Sequence, residues 1–251
     1  MKRRELIYAG AGLLAGWGLS LVDREAQAQS GGLSVQYFGH SCFLLSGDGR
    51  RILVNPFRPG GCTAGYAAPQ AAADLVMISS RLLDEGAVDG LVGSPRILFE
   101  PGVYELNGFQ VQGIGMDHDD VKGRRFGVNV AWKWQQGGVN ILHLGGAAAP
   151  ITTEQQILMG RPDLLLLPVG GGAKAFTPEE ARAAVLLLNP KLVVPTQYLT
   201  AAADPASCDI LPVDSFLSLM SGIPNQQVGS SITLSASDLP SSSQIRVMSY
   251  S

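Results

Sequence analysis

The run Phe38-Gly-His-Ser-Cys-Phe-Leu-Leu45, followed by Arg51-Ile-Leu-Val-Asn-Pro-Phe57, decides the fold class of this chain. Both segments are rich in β-type apolar residues, and Ser46-Gly-Asp-Gly49 between them is typical of a hairpin turn. Asp74-Leu-Val-Met-Ile78 is a continuous apolar run, as expected of a strand buried on both faces. These segments therefore predict a buried sheet near the start of the domain.

The rest of the chain alternates β-type runs with helical segments, which is typical of an α/β protein. Thr177 is expected to cap a helix over residues 178–188, because Pro178 suits the first helical position. A second helix is predicted over residues 152–159. Further strands are predicted at 96–99, 108–114, 127–134, 139–144, 163–167 and 192–194, with edge strands at 232–234 and 244–248.

Length and composition limit the class of protein. The chain has 251 residues, of which 46% are hydrophobic and 16% charged, enough for one sizeable core. The net charge of −3, without a basic stripe, argues against nucleic acid as a partner. Three histidines are a small supply for a His-rich metal site. Residues 29–251 are expected to form a single domain.

Residues 1–28 are predicted to be a signal peptide. Basic residues 2–4 precede an apolar stretch over residues 6–22, and Ala26-Gln-Ala28 fits a cleavage site. The pair Arg3-Arg4 resembles a twin-arginine (Tat) signal, with an ordinary Sec signal or an uncleaved anchor as the alternatives. The expected location is the periplasm or a thylakoid lumen, with no membrane span in the mature chain.

Three cysteines allow one disulfide in such a compartment and leave one thiol. The candidates are Cys42, Cys62 and Cys208, and the sequence does not select the pair. Cys42 lies in a β-type run and is interpreted as a buried apolar residue.

Three segments together resemble the metallo-β-lactamase-fold hydrolases of the ascorbate-6-phosphate lactonase-like group. They are residues 38–57 quoted above, Pro162-Asp-Leu-Leu-Leu-Leu-Pro-Val-Gly170, and Thr177-Pro-Glu-Glu-Ala181 running to Asn189-Pro-Lys-Leu-Val-Val-Pro-Thr-Gln-Tyr-Leu-Thr200. The resemblance covers roughly residues 33–200. It implies a four-layer αββα sandwich with a two-metal hydrolase site on loops at one rim.

The ligands that this resemblance implies are mostly replaced. Asp84 and His118 retain ligand-type residues, and Asn55 stands where the family has the Asp of an Asp-Pro-Phe segment. Leu82 puts an isobutyl group where a metal needs a donor, and Gly146 removes the bridging carboxylate. The degenerate ligand positions are Ser80, Leu82, Glu85, Gly146 and Gln197.

The titratable residues near these positions also have structural interpretations. His40 and His143 are interpreted as structural histidines, and His40 is expected to bond a backbone carbonyl. His118 belongs to the acidic run Met116-Asp-His-Asp-Asp120, a weak cation site or a solvated loop. Asp84 and Glu85 are expected to cap a helical stretch.

Two functions follow from these expectations. The first is an exported pseudoenzyme of this fold that has no metal cofactor and acts as a binding or assembly component with a protein partner. A more specific form of this hypothesis makes the chain a subunit of a membrane-associated complex. The alternative is a residual hydrolase of a phosphorylated or lactone substrate. It would use Asp84 and His118, with Glu85 and Gln197, around one divalent cation, Mg or Mn rather than Zn.

Overall fold

The computed structural model describes residues 31–204 and 206–250, so the predicted signal peptide at residues 1–28 lies outside the described residues. Three helices and fourteen strands are present in the described part. The helices are α1 (Thr153–Met159), α2 (Pro178–Leu188) and α3 (Val213–Leu219). The strands are β1 (Leu33–Gly39), β2 (Cys42–Gly47), β3 (Arg50–Val54), β4 (Leu75–Met77), β5 (Arg96–Leu98), β6 (Gly102–Glu105), β7 (Gln110–Asp117), β8 (Val128–Gln136), β9 (Val139–His143), β10 (Leu164–Pro168), β11 (Leu192–Thr196), β12 (Asn225–Val228), β13 (Ser231–Leu234) and β14 (Gln244–Met248).

The strands form two sheets. A six-stranded sheet has the order β13-β1-β2-β3-β4-β5, and an eight-stranded sheet has the order β12-β14-β11-β10-β9-β8-β7-β6. The predicted hairpin is present, since Gly47 pairs with Arg50 and the two turn residues, Asp48 and Gly49, both have positive φ. β14 lies between β11 and β12, so the expectation of an edge strand at 244–248 was wrong.

Apolar clusters hold the layers together. Phe43 and Trp132, both fully buried, belong to the cluster that lies between the two sheets. The three helices cover the outer face of the eight-stranded sheet, where Phe176 and Phe216 are fully buried. At about 1.5–3 kcal/mol for each buried large side chain, these clusters supply most of the driving force for stacking the layers.

The expected two-sheet α/β sandwich is confirmed, with one difference in its outer layers. The outer face of the six-stranded sheet buries Cys42, Leu53 and Val76 against Phe57 and Tyr66. These covering residues come from loops and a single 3-10 turn, Gly61–Thr63, and not from a long helix. None of the described helices is both long and apolar enough to cross a bilayer.

The caps of α2 follow the prediction. Glu180 donates its backbone N–H to Thr177 Oγ1 (3.2 Å), and the Glu180 carboxylate accepts from the Thr177 N–H (2.9 Å). Asn189 ends the helix in the left-handed conformation with φ 46°. By contrast, Asp84 and Glu85 lie in a single turn and cap no helix, so that expectation was wrong.

Candidate functional site

A cleft of about 540 Å³ opens at the rim where several strands end. β1 ends just before His40, and β11 just before Gln197. β1 and β11 belong to different sheets, and their carboxyl ends meet at this rim, so residues far apart in sequence lie together here. The lining includes Arg58, Cys62, Leu82, Asp84, Phe126, Lys174, Asp209 and Ile210, as well as His40 and Gln197.

A buried carboxylate organises the floor of this cleft. Glu85 is fully buried in a turn closed by its N–H to the Leu82 carbonyl (3.0 Å). Its Oε1 lies 3.2 Å from His118 Nε2 and accepts a hydrogen bond from Gln197 Nε2 (3.1 Å). His118 is also fully buried, and Gln197 is 2% exposed. The structure therefore brings together three of the four residues proposed for the alternative cation site.

The charges of this pair stabilise each other. Burial by itself would lower the pKa of His118, but the Glu85 carboxylate outweighs burial and leaves that pKa raised. Burial would likewise raise the pKa of Glu85, yet His118 and Lys174 leave it lowered. The raised pKa of His118 and the lowered pKa of Glu85 both favour a carboxylate paired with an imidazolium.

The fourth residue, Asp84, has a different partner. Its Oδ2 forms an ion pair with Lys174 Nζ, and both side chains are partly buried in the cleft wall. Lys174 also lies over the Phe126 ring, with Nζ 5.7 Å from the ring centroid. Sequence reasoning missed Lys174. The available signal was a lysine two residues after Gly170-Gly-Gly172, at the carboxyl end of a buried strand.

Gly146 leaves no space for a side chain. A Cβ at this position would collide with Glu85 Oε1 and His118 Nε2 and would lie 2.9 Å from the Lys174 carbonyl oxygen. The Gly146 N–H donates to Asn129 Oδ1 (3.0 Å), and this bond holds the Gly146 backbone next to the Glu85–His118 pair. The Glu85–His118 pair therefore fills the volume next to Gly146.

His40 does not make the expected hydrogen bond. Between the described residues, no hydrogen bond involves its ring, which lines the cleft. Its backbone carbonyl is the acceptor instead, from Gln197 N–H (3.0 Å) and the Tyr37 hydroxyl (3.2 Å). Burial lowers the pKa of His40, although Asp84 and Glu85 act in the opposite direction. The ring is thus a neutral donor and acceptor at the cleft.

Asp119 organises the loop between β7 and β8. Its two carboxylate oxygens accept four backbone N–H bonds of 2.8–3.0 Å, from Val121, Gly123, Arg125 and Phe126. These bonds fix the loop that carries Phe126 to the cleft. His118 is buried beside this loop, so the interpretation of residues 116–120 as solvated was wrong for His118.

The remaining predicted positions surround the floor. Ser80 Oγ accepts from the Leu82 N–H (3.3 Å), and the Leu82 side chain lines the cleft. Asn55 Oδ1 accepts from the Ser79 N–H (2.8 Å) and so ties two loops together. Over residues 31–204 and 206–250, no three His, Cys, Asp or Glu side chains are grouped as metal ligands.

His143 is a satisfied structural histidine, as predicted. Its fully buried ring donates from Nε2 to the Ser41 carbonyl (2.9 Å) and accepts at Nδ1 from the Gly145 N–H (3.0 Å). This arrangement requires the neutral tautomer with the proton on Nε2. Burial lowers the pKa of His143 to about 4, against a weaker opposing effect of Ser41.

The buried His143 is expected to make the protein less stable in acid. The unfolded chain protonates this residue near pH 6.5 and the folded chain near pH 4, so the unfolded state binds the extra proton between those values. Stability should therefore fall as the pH drops from about 6.5 to about 4, by about 3 kcal/mol from this group. Urea unfolding of His143→Gln and the parent across this range measures the effect. Equal pH slopes for both proteins would contradict it.

Two stacked sheets, a helical outer layer and a site at the strand-end rim define a metallo-β-lactamase-type sandwich. The chain belongs to the Lactamase_B_3 family, the beta-lactamase superfamily domain, whose model matches residues 34–197. A Thermococcus onnurineus relative, named UPF0173 metal-dependent hydrolase, is 30% identical over 205 residues, covering 69% of this chain and 89% of its own length. The chain is therefore a member of a metallo-hydrolase family.

Solved structures agree with this assignment. A candidate Zn-dependent hydrolase of the metallo-beta-lactamase superfamily from Thermotoga maritima superimposes with a TM-score of 0.70 at 30% identity. That match covers 86% of this chain and 98% of the other. Igni18, a metallo hydrolase from Ignicoccus hospitalis, has a TM-score of 0.58 at 20% identity. That match covers 81% of this chain and 98% of Igni18, and it supports the fold alone.

Proposed function

We propose that this chain is a metal-independent member of its family that acts by binding and not by hydrolysis. The observation that carries the proposal is the Glu85–His118 pair packed against Gly146. The resemblance places a bridging carboxylate at Gly146, where even a Cβ would collide with the pair. The subgroup placement near the ascorbate-6-phosphate lactonase-like proteins, which rests on the sequence segments, belongs to the same proposal.

The charge balance of the site supports the same conclusion. Asp84 and Glu85 supply two negative charges, which the Lys174 ammonium and the His118 imidazolium offset. A divalent cation would have to displace or repel these two cations in a partly buried site. Leu82 adds an apolar side chain where the resemblance expects a ligand. The residues present therefore do not fit a dinuclear centre.

The two carboxylates that the alternative single-cation hydrolase would use already have cationic partners. Asp84 is paired with Lys174, and one oxygen of Glu85 is shared by His118 and Gln197. A hard cation prefers several free oxygen ligands. Glu85 Oε2, His118 Nδ1 and Gln197 Oε1 have no hydrogen-bond partner among the described residues. The positive charges of Lys174 and His118 beside the two carboxylates nevertheless disfavour a cation there.

Metal analysis tests the proposed function. The purified chain, dialysed against Mg, Mn or Zn, is expected to hold much less than one equivalent of metal by elemental analysis. It is also expected to hydrolyse neither phosphodiesters nor lactones above background. Asp84→Asn serves as the matched variant, since it removes a proposed ligand. Stoichiometric metal, lost in Asp84→Asn together with metal-dependent turnover, would establish the residual hydrolase instead.

Export is proposed on separate grounds. Cys62 and Cys208 form a disulfide, with Cα atoms 4.6 Å apart, and Cys42 is a free, buried thiol. Structural disulfides are typical of oxidising compartments such as the periplasm or a lumen, which supports export. Mass spectrometry of the chain secreted by its natural host should give a first residue of Gln29. A chain that retains residues 1–28 inside the cell would contradict the proposal.

Association with a protein partner belongs to the same proposal. Ile157 on α1 is 75% exposed, and Leu186 on α2 is 58% exposed. Ile157 also shares a shallow surface groove with Leu187 of α2, and contiguous exposed apolar side chains are typical of contact surfaces. Two charged substitutions, Ile157→Lys and Leu186→Glu, should abolish co-purification of such a partner from the exported fraction while leaving the thermal midpoint within about 2 °C.

A further inference from the structure

The side-chain amide of Gln197 has one end occupied and the other end free. Its Nε2 donates to Glu85 Oε1 (3.1 Å), and an ionised carboxylate can only accept, so the amide orientation is fixed. Its Oε1 is then the opposite end, which is buried and has no hydrogen-bond partner among the described residues. Gln197 lines the cleft, and this orphaned acceptor is buried next to it.

An orphaned buried acceptor is costly. Leaving such a group without a donor costs about 1–3 kcal/mol, a penalty that a bound N–H or O–H would remove. Gln197 also has a left-handed backbone with φ 48°, and His40, whose carbonyl it contacts, has φ 55°. Non-glycine residues in this conformation are strained, and such strain is concentrated at ligand sites. Two independent features therefore mark the same part of the floor.

The other polar groups of the cleft indicate the charge of the ligand. Asp84 lines the cleft and Glu85 is buried against Gln197. Lys174 and His118 offset their two negative charges, so these groups present no net charge that would attract an ionic head group. The Lys174 ammonium disfavours a cation, and its charge is already matched by Asp84. Lys174 retains further N–H donors beside that ion pair, since an ammonium group has three. A neutral head group with both a donor and an acceptor is the best match.

The remaining wall is largely apolar. Leu82, Phe126 and Ile210 line the cleft, and its volume of about 540 Å³ falls within the range of small-molecule sites. An apolar or aromatic body would fit this wall, while the head group reaches Gln197.

We propose that the cleft binds a neutral small molecule with an apolar body and a primary-amide head group. The amide N–H donates to Gln197 Oε1, and the amide carbonyl accepts from Lys174 Nζ. This inference deepens the proposed function and rests on it, because it names the class of ligand that a metal-free cleft accepts.

A set of phenyl ligands that differ only in the head group tests the inference on the unmodified protein. The probes are benzamide, benzoate and N,N-dimethylbenzamide, titrated into the purified, isotope-labelled chain and followed by NMR. Benzamide is expected to bind about tenfold more tightly than N,N-dimethylbenzamide, which lacks the N–H donors, and than benzoate, which is charged. The largest shift changes are expected at the Gln197 side-chain amide.

A variant gives an independent measurement. Gln197→Met removes the acceptor and should weaken benzamide binding about tenfold while leaving the weak binding of N,N-dimethylbenzamide unchanged. Gln226→Met, at an exposed position of β12, is the matched control and should bind benzamide like the parent. Where Gln197→Met fails to fold, the comparison of the three probes on the parent decides.

Three results would overturn the inference: benzoate binding as tightly as benzamide, no saturable binding of benzamide, or unchanged benzamide affinity in folded Gln197→Met. A metal-free chain that does not bind benzamide would overturn this inference but would not contradict the proposed function. Stoichiometric metal in the purified chain would overturn the proposed function itself, so the two failures are distinguishable.

Discussion

Removal of the Cys62–Cys208 disulfide is expected to lower the free energy of unfolding by about 2–5 kcal/mol. The two cysteines are 146 residues apart in sequence, so the bond closes a very long loop in the unfolded chain. The loop-entropy relation gives about 5 kcal/mol for such a loop, near the upper limit of measured effects. Urea unfolding of Cys62→Ser/Cys208→Ser against the parent measures the loss.

The disulfide also joins two loops of the cleft, so its removal should loosen the cleft as well as lower the free energy of unfolding. Cys62 lines the cleft, and nearby the Gly65 N–H donates to the Ala202 carbonyl (2.6 Å). Without the disulfide, the described contacts that join the two cleft loops are hydrogen bonds of this kind and the packing of Ala202 on the cluster that contains Tyr66. A reductant should destabilise the parent and have no further effect on the double variant. A loss below about 1 kcal/mol, or an equal response of both proteins to the reductant, would contradict the prediction.

Substitution of His118 by leucine is expected to cost about 3–5 kcal/mol of stability. The change leaves the Glu85 carboxylate fully buried, with the Gln197 amide as its one remaining side-chain hydrogen-bond donor among the described residues. Uncompensated buried charge, and not the lost contact alone, causes the penalty. Denaturant unfolding near pH 6 measures it, because both members of the pair are charged there in the parent.

A double variant separates charge from packing. Glu85→Gln/His118→Leu removes the buried charge and keeps an acceptor for Gln197 Nε2, so it should be more stable than His118→Leu alone. Glu85→Gln alone completes the mutant cycle, and a coupling energy of about 1–3 kcal/mol is expected. A double variant no more stable than His118→Leu would show that the pair is held by packing and not by charge.

Much of the fold could be predicted from local sequence. The hairpin at Asp48-Gly49, the capped helix after Thr177 and the burial of Cys42 each depend on residues close together in the chain. Turn chemistry, capping and apolar runs act over a few residues, so they are visible without the structure. Short strands such as β6 and β12 were not predicted, because they are mostly exposed and their residues show no clear alternation of apolar and polar side chains.

The candidate site was predicted only in part. The resemblance directed attention to Asp84, Glu85, His118 and Gln197. The structure places Asp84 and Gln197 in the lining of one cleft and buries the Glu85–His118 pair against Gln197. Their partners were not predictable. Lys174 is 90 residues from Asp84, and no local pattern connects the two. His40 was assigned a purely structural hydrogen bond, whereas its ring lines the cleft.

The sequence by itself determined that this chain is an α/β protein, because strand runs, turns and helix caps are encoded by neighbouring residues. The two-sheet sandwich of the metallo-β-lactamase type was implied by the resemblance of three segments to that family. Only the tertiary structure decided which groups meet. Glu85 pairs with His118 across 33 residues and with Gln197 across 112, and Cys62 with Cys208 across 146. Such contacts depend on how the strand ends converge in space, so the charge balance and the free acceptor of the cleft follow from the folded arrangement alone.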